Sequence, residues 1–464
     1  MWRSSIGASG AVGGDGPVKA LVSVKSIRDR CFIYWTNEAR SAILAPMSTT
    51  PVMAPCTAAP GSASPPHPGI ERGSAAYRRA NLALFLAGCS TFSLLYCVQP
   101  LLPEFARDFG LSPASSSLAL SLSTAALAVA IFAVGALSQQ VARRRLMFAS
   151  MVLAALCNLL AAAAPNWPLL LLARLAEGAL LGGVPAVAMA YLAEEMDARH
   201  LSGAMGLYVA GTAFGGMMGR VGMGLLVESA DWRTAMAAIG AVGLVAAFGF
   251  AALLPPSRRF VPQPGFVLQR HLRAWGAQLR HPGLLRLFAV GFVLTSVFVA
   301  LFNYVGFRLA GAPYLLGPGR ISLIFLAYVF GMFSSPLAGR LADRYGGRWP
   351  LAAGMALMAL GALVTLGSSL MAIVAGISLV TFGFFVGHSV ASAWVGRLAG
   401  ADKGHASSLY LLFYYFGSSI TGPLGGWAWQ HGGWGGEVAL TATLALLGIV
   451  LAIQVESRGQ ARGV

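Results

Sequence analysis

The chain has 464 residues, of which 57% are hydrophobic and 10% charged, whereas a soluble domain carries about a quarter charged residues. Its 32 Lys and Arg outnumber 16 Asp and Glu, for a formal net charge of +16. At a mean hydropathy of +0.70, however, there is too little polar surface to build a nucleic-acid-binding face or a multidomain soluble enzyme. The five cysteines (Cys31, Cys56, Cys89, Cys97 and Cys157) show neither the pairing of a disulfide framework nor the spacing of a zinc site.

Residues 1–77 hold Gly, Ser, Pro and Ala clusters with only a short apolar patch at Cys31 to Trp35. They read as a disordered extension, or as residues preceding a true start at Met47 or Met53. From residue 78 the character changes. Twelve continuous apolar stretches of roughly 18 to 25 residues follow, each long enough for a membrane helix. Six start near Asn81, Ser115, Leu146, Leu169, Ala204 and Ala235, and fill residues 78–255. A connecting segment, 256–283, carries Arg270, His271, Arg273 and Arg280 between Phe266, Val267, Leu268, Leu272, Trp275 and Leu279. That pattern predicts a basic amphipathic helix on the inner leaflet; the alternative is a plain flexible linker. Six more stretches start near Leu284, Arg320, Trp349, Leu370, Ala406 and Glu437 and fill 284–456, leaving a tail at 457–464. The runs do not alternate as barrel strands do, so the expected fold class is an all-α membrane protein. The Lys/Arg bias of short loops, with Arg143, Arg144, Arg145, Arg340, Arg344 and Arg348 on one side, predicts cytoplasmic termini.

The two sets of six are related. The loops starting at Gly135 and Gly339, the Leu207-Tyr208 and Leu409-Tyr410 pairs, and Trp232 and Trp434 recur at one offset of about 200 residues. Two such halves are typical of secondary transporters, with the substrate held between them near the midplane.

At these residues a family resemblance enters. The run Gly339-Arg340-Leu341-Ala342-Asp343-Arg344-Tyr345-Gly346-Gly347-Arg348 resembles the loop signature of the major facilitator superfamily. Arg174 to Gly178 is similar to that superfamily's R-x-x-x-G element. The glycines of the fifth stretch, including Gly215 and Gly219, and Gly417 to Gly426 with Gly422-Pro423, resemble its glycine-rich antiporter element. Gln99 to Pro103 with Phe109 to Ser112 looks like the first-span end of bacterial drug/proton antiporters of the twelve-helix type. Gln139-Gln140 departs from the Asp-Arg pair of the loop signature, and Arg220 stands where the antiporter element has Pro.

An ionisable side chain within a span marks a functional candidate. The fourth stretch holds Arg174 and Glu177, the fifth Arg220 and the tenth His388. With a rise of 1.5 Å per residue, Glu177 and Arg220 both fall about 12 Å below the same boundary. Glu177 is thus the expected proton-binding group, with Arg174 and Arg220 competing for it and one arginine released on protonation. The alternative is a permanent ion pair tying two helices. Tyr96, Gln99, Asn303, Tyr304, His388 and Tyr414 are the expected substrate-cavity residues, each of which also fits an interhelical hydrogen bond. The resemblance implies that the glycine element packs the halves together. Pro423 is expected to bend the eleventh helix. Asp343, with Gly135, Gly339, Arg344 and Gly346 in the gating loops, is expected to latch onto the N-terminus of the fifth helix near Ser202 to Ala204; the alternative is a solvated loop charge.

The resemblance implies proton-coupled efflux of small molecules by a monomer in the bacterial cytoplasmic membrane. No metal, ATP or other cofactor is expected, because the lysines lie in no G-K-[ST] loop. The rivals are an uptake symporter or uniporter on the same fold and, more remotely, an intramembrane enzyme or a non-transporting sensor.

Overall fold

The computed structural model describes residues 69–137, 142–197, 199–260 and 268–455. The extension before residue 69, Gln139 and Gln140, Phe266 and Val267, and the tail from residue 456 lie outside the described residues. Among those described there is no strand, only an isolated bridge between Ile70 and Met196.

The first half contains α1 (Ala75–Tyr96), a 3-10 turn (Gln99–Leu101), α2 (Leu102–Asp108), α3 (Pro113–Ser116), α4 (Leu118–Leu137) and α5 (Arg143–Ala162). It continues through α6 (Trp167–Leu181), α7 (Gly183–Glu195), α8 (Leu201–Ser229) and α9 (Trp232–Leu253). After α10 (Leu268–Arg280), the second half runs through α11 (Pro282–Ala310), α12 (Pro318–Ser322), α13 (Tyr328–Tyr345), α14 (Arg348–Val364), α15 (Leu370–Leu398) and α16 (Lys403–Gln454). Each of the twelve apolar stretches falls on a helix. Among the described residues, nine helical runs are long and apolar enough to cross a membrane by length and composition. Polar caps start several of them: Ser74 accepts from the Tyr77 amide, Asn166 from Leu169, Asp231 from Thr234 and Ser369 from Ala372. Val242, Val245 and Phe248 on α9 are more than half exposed, as expected of a face turned to lipid.

Glycine sets the closest helix approaches. A Cβ on Gly215 would lie 2.1 Å from the Cys89 carbonyl oxygen, and one on Gly219 2.6 Å from the Ser93 Cα. The α8 glycines therefore press on α1, within the first half. In the second half a Cβ on Gly417 of α16 would lie 2.1 Å from the Phe292 carbonyl oxygen of α11. The same backbone contact thus recurs in both halves, at the offset read from the sequence. The expectation that Gly215 and Gly219 join the two halves is corrected here. Contacts between halves are made by Gly224 against Ser322 and, from the second part of the expected glycine element, by Gly422 against Ser121 and Gly426 against Ala114, with Thr124 and Ser419 sharing a 2.7 Å hydrogen bond.

Pro423, expected to bend its helix, lies inside α16. Helical geometry runs through Pro423, and the 52-residue α16 breaks at Gly433, where φ is 54° and ψ −147°. That backbone region suits a residue without a Cβ.

The amphipathic helix forms as α10, but its aromatic side is not left to lipid. Trp275 is buried, stacks on Phe132 of α4 with centroids 3.9 Å apart, and donates to Ser408 of α16. His271 and His405 meet at 3.0 Å beside it. Leu272 and Leu279 stay exposed on another side of the helix. One helix therefore touches both halves at the arginine-rich end of the bundle.

Candidate functional site

Arg174 and Glu177 lie one turn apart on α6, both fully buried, with Nη1 and Oε2 2.5 Å apart. Arg174 also donates to the Leu94 and Leu95 carbonyls at the end of α1, at 3.1 and 2.7 Å, and to the Ala119 carbonyl of α4 at 3.2 Å. The guanidinium thus pins three helices whatever the state of Glu177. Two expectations are corrected by this. The ion pair lies within one helix, and protonating Glu177 would not free Arg174, because three carbonyls still hold it. The second carboxylate oxygen, Oε1 of Glu177, has no hydrogen-bond partner among the described residues.

Arg220 does not compete for Glu177. It is 1% exposed, its Nε donates to Gln99 Oε1 at 2.5 Å, and its Nη1 donates to the Gly216 carbonyl at 2.6 Å. No described carboxylate lies within ion-pair distance of it. Three rings surround the guanidinium, with centroids at 4.0 Å for Tyr96, 5.1 Å for Tyr328 and 5.2 Å for Phe325. Gln99 reaches this place because the chain leaving α1 tightens into the Gln99–Leu101 turn, which buries all three of its residues. Its amide nitrogen donates to Asn303 Oδ1 of α11 at 2.6 Å. The line Arg220–Gln99–Asn303 therefore crosses from the first half to the second.

The remaining cavity residues divide into two groups. Tyr414 is within electrostatic range of Tyr96 and Tyr328 without touching Arg220, and its ring meets that of Tyr415 edge-on at 5.0 Å. His388 bonds the Tyr410 hydroxyl at 3.0 Å between α15 and α16, and its ring lies 4.8 Å from that of Tyr414. Tyr304 is set apart. Fully buried, it donates to the Gly422 carbonyl at 2.5 Å and serves as a link between α11 and α16.

Sequence reasoning missed three residues. Phe325 and Tyr328 complete the cage around Arg220, but an aromatic in an apolar stretch carries no mark that sets it apart. Glu437 is fully buried, and neither carboxylate oxygen has a partner among the described residues. It was counted as the boundary of the twelfth stretch. The signal was available: Trp434 matches Trp232, the first residue of α9, which places Glu437 nearly one turn inside.

The loop motif ends α13. Gly346, at φ 77°, terminates the helix, and Asp343 and Arg344 are exposed just before it. Gly339 lies in the same helix and Gly135 in α4. Asp343 has no partner among the described residues, so the expected latch onto α8 is not made. The reason lies in where the halves touch. The close contact of α8 with the stretch leading into α13, Gly224 against Ser322, lies at the opposite end of both from Ser202 and Asp343.

This all-helical arrangement, with a polar line running from α8 through Gln99 to α11, can be set beside known proteins. The family model of the Major Facilitator Superfamily matches residues 84–334 and 310–463. The chain belongs to the major facilitator superfamily. It is 43% identical over 382 residues to the Bacillus subtilis protein named Uncharacterized MFS-type transporter YybF, covering 82% of this chain and 94% of that one. It is also 43% identical over 400 residues to Inner membrane transport protein YnfM of Escherichia coli, covering 86% and 95%. Among solved structures, a bacterial homolog of the human lysosomal transporter Spinster, inward-facing and unoccupied, superposes with a TM-score of 0.68. Its identity is 15%, covering 82% of this chain and 98% of that one. Nucleoside transporter NupG, in a mutant form, gives 0.66 at 12% identity, covering 82% and 99%. As a superfamily member the chain is a multi-pass membrane transporter of small molecules and not an enzyme.

Proposed function

We propose that this transporter exports small molecules across the bacterial cytoplasmic membrane in exchange for protons. In this reading twelve spans form a monomer with both termini in the cytoplasm, and alternating access proceeds by rocking of the two halves without ATP. Glu437 is the observation that carries the proton part. A fully buried carboxyl with no partner on either oxygen is expensive as an anion and stable as the neutral acid. Glu177, with Oε1 unpartnered, is the second candidate. The direction of transport rests on the resemblance to drug/proton antiporters.

The test uses proteoliposomes with an imposed pH gradient. Glu437→Gln is expected to make substrate flux insensitive to the gradient while leaving counterflow exchange intact. Glu177→Gln is expected to weaken the response. Gradient-driven flux that survives in both variants contradicts proton coupling at these carboxyls.

A further inference from the structure

Arg220 carries a positive charge that the protein itself does not balance. Burying an ion costs several kcal/mol after relaxation, and proteins recover this by pairing it. Arg174 follows that rule through Glu177. Arg220 is equally shielded from water, yet its acceptors are a side-chain amide oxygen, a backbone carbonyl and the Tyr328 hydroxyl, all neutral. The ring faces around it return part of the cost but supply no counter-charge.

The neighbouring amides add a second donor. Because Arg220 only donates, Gln99 must present its oxygen to it and its NH2 to the next residue. Asn303 therefore turns its own oxygen toward Gln99. This leaves Asn303 Nδ2, a buried donor with no acceptor. A cation from α8 of one half and an unused N–H donor from α11 of the other thus flank a single glutamine. Both lack the same thing, an anionic acceptor, and Gln99 Oε1 stands where a carboxylate oxygen would sit on Arg220.

We propose that Arg220, with Asn303, is the recognition site for the anionic group of the transported molecule, whose apolar or aromatic body lies against Tyr96, Tyr328 and Tyr414. The substrate class is therefore amphipathic organic anions, with a carboxylate as the simplest head group. On arrival the carboxylate displaces the Gln99 oxygen from Arg220 and accepts from Asn303 Nδ2, drawing on groups of both halves at once. This inference rests on the transporter reading above but needs neither proton coupling nor a direction.

The test is thermal stabilisation of the purified full chain in lipid nanodiscs by three probes sharing one ring system: 1-naphthoate, 1-naphthamide and 1-naphthylmethylammonium. The carboxylate is expected to raise the unfolding temperature at concentrations roughly tenfold or more below those needed for the amide, with the ammonium weakest. Arg220→Gln is expected to erase the preference for the carboxylate, and Arg220→Lys to keep part of it. Asn303→Ala is expected to weaken the carboxylate selectively. Equal or better stabilisation by the amide or the ammonium overturns the proposal, as does stabilisation by none of the three. A carboxylate preference that persists in Arg220→Gln also overturns it. If the Gln variant does not fold, the wild-type ranking of the three probes decides. No gradient is applied, so loss of proton coupling in the flux assay and loss of anion preference here are read separately.

Discussion

Arg174 and Arg220 sit on α6 and α8, both removed from water, yet the described surroundings balance only one of them. Arg174 meets a carboxylate and three backbone carbonyls from α1 and α4. Arg220 meets only neutral oxygens, those of Gln99, Gly216 and Tyr328, and three aromatic faces, next to the interface between the halves. A fully compensated buried charge holds helices together and resists change. An uncompensated one stores a cost that something from outside can relieve. The difference separates a residue the fold needs from one the traffic of substrate needs.

The largest effect is expected from breaking the balanced side. Arg174→Leu strands Glu177 and frees three carbonyl acceptors, a loss of about 3–5 kcal/mol. The measurement is the yield of monodisperse protein and its unfolding temperature. Adding Glu177→Leu to that variant is expected to recover part of the loss, since removing both partners leaves no orphan charge. Next come the glycine contacts. Gly215→Ala and Gly417→Ala each drive a Cβ into backbone and are expected to cost about 1–3 kcal/mol each and by similar amounts, because the two halves repeat the contact. Gly206→Ala, with nothing within 4 Å of its Cβ, is the control.

The smallest effect concerns the loop between α7 and α8. Asp197 is held down to about 2 by hydrogen bonds from the Arg199 side chain and backbone amide. A carboxyl lowered in the folded state contributes above its unfolded value and loses that contribution as pH falls toward the folded one. Asp197→Asn is therefore expected to flatten a slight acid sensitivity between about pH 4 and 2, read as the pH dependence of unfolding.

How far the sequence carried this picture depends on the residue. The repeat was legible, because Trp232 and Trp434, and the glycines of α8 and α16, are marked by type and spacing. Glu177 and Arg220 were legible as charges in apolar stretches, but their pairing was not. Depth along two helices says nothing about which way each side chain turns, and Gln99 had taken Arg220. Glu437 looks like a boundary in the sequence because a lone charge after a Gly-rich run marks the edge of an apolar stretch as readily as its interior. Phe325 and Tyr328 were out of reach, since an aromatic in a membrane helix has the same composition signal whether it faces lipid, core or a cation. Asp343 is legible in the loop motif by type and spacing, but whether it meets a partner depends on how neighbouring helices pack, which spacing alone does not carry.

The contrast between the two arginines is tested most directly by measuring the unfolding temperatures of Arg174→Met and Arg220→Met side by side in the same lipid, without ligand. Removing a compensated charge strands its partner, whereas removing an uncompensated buried charge relieves a cost. The account predicts a large fall for Arg174→Met and no fall, or a rise, for Arg220→Met. A fall for Arg220→Met as large as that for Arg174→Met would contradict it.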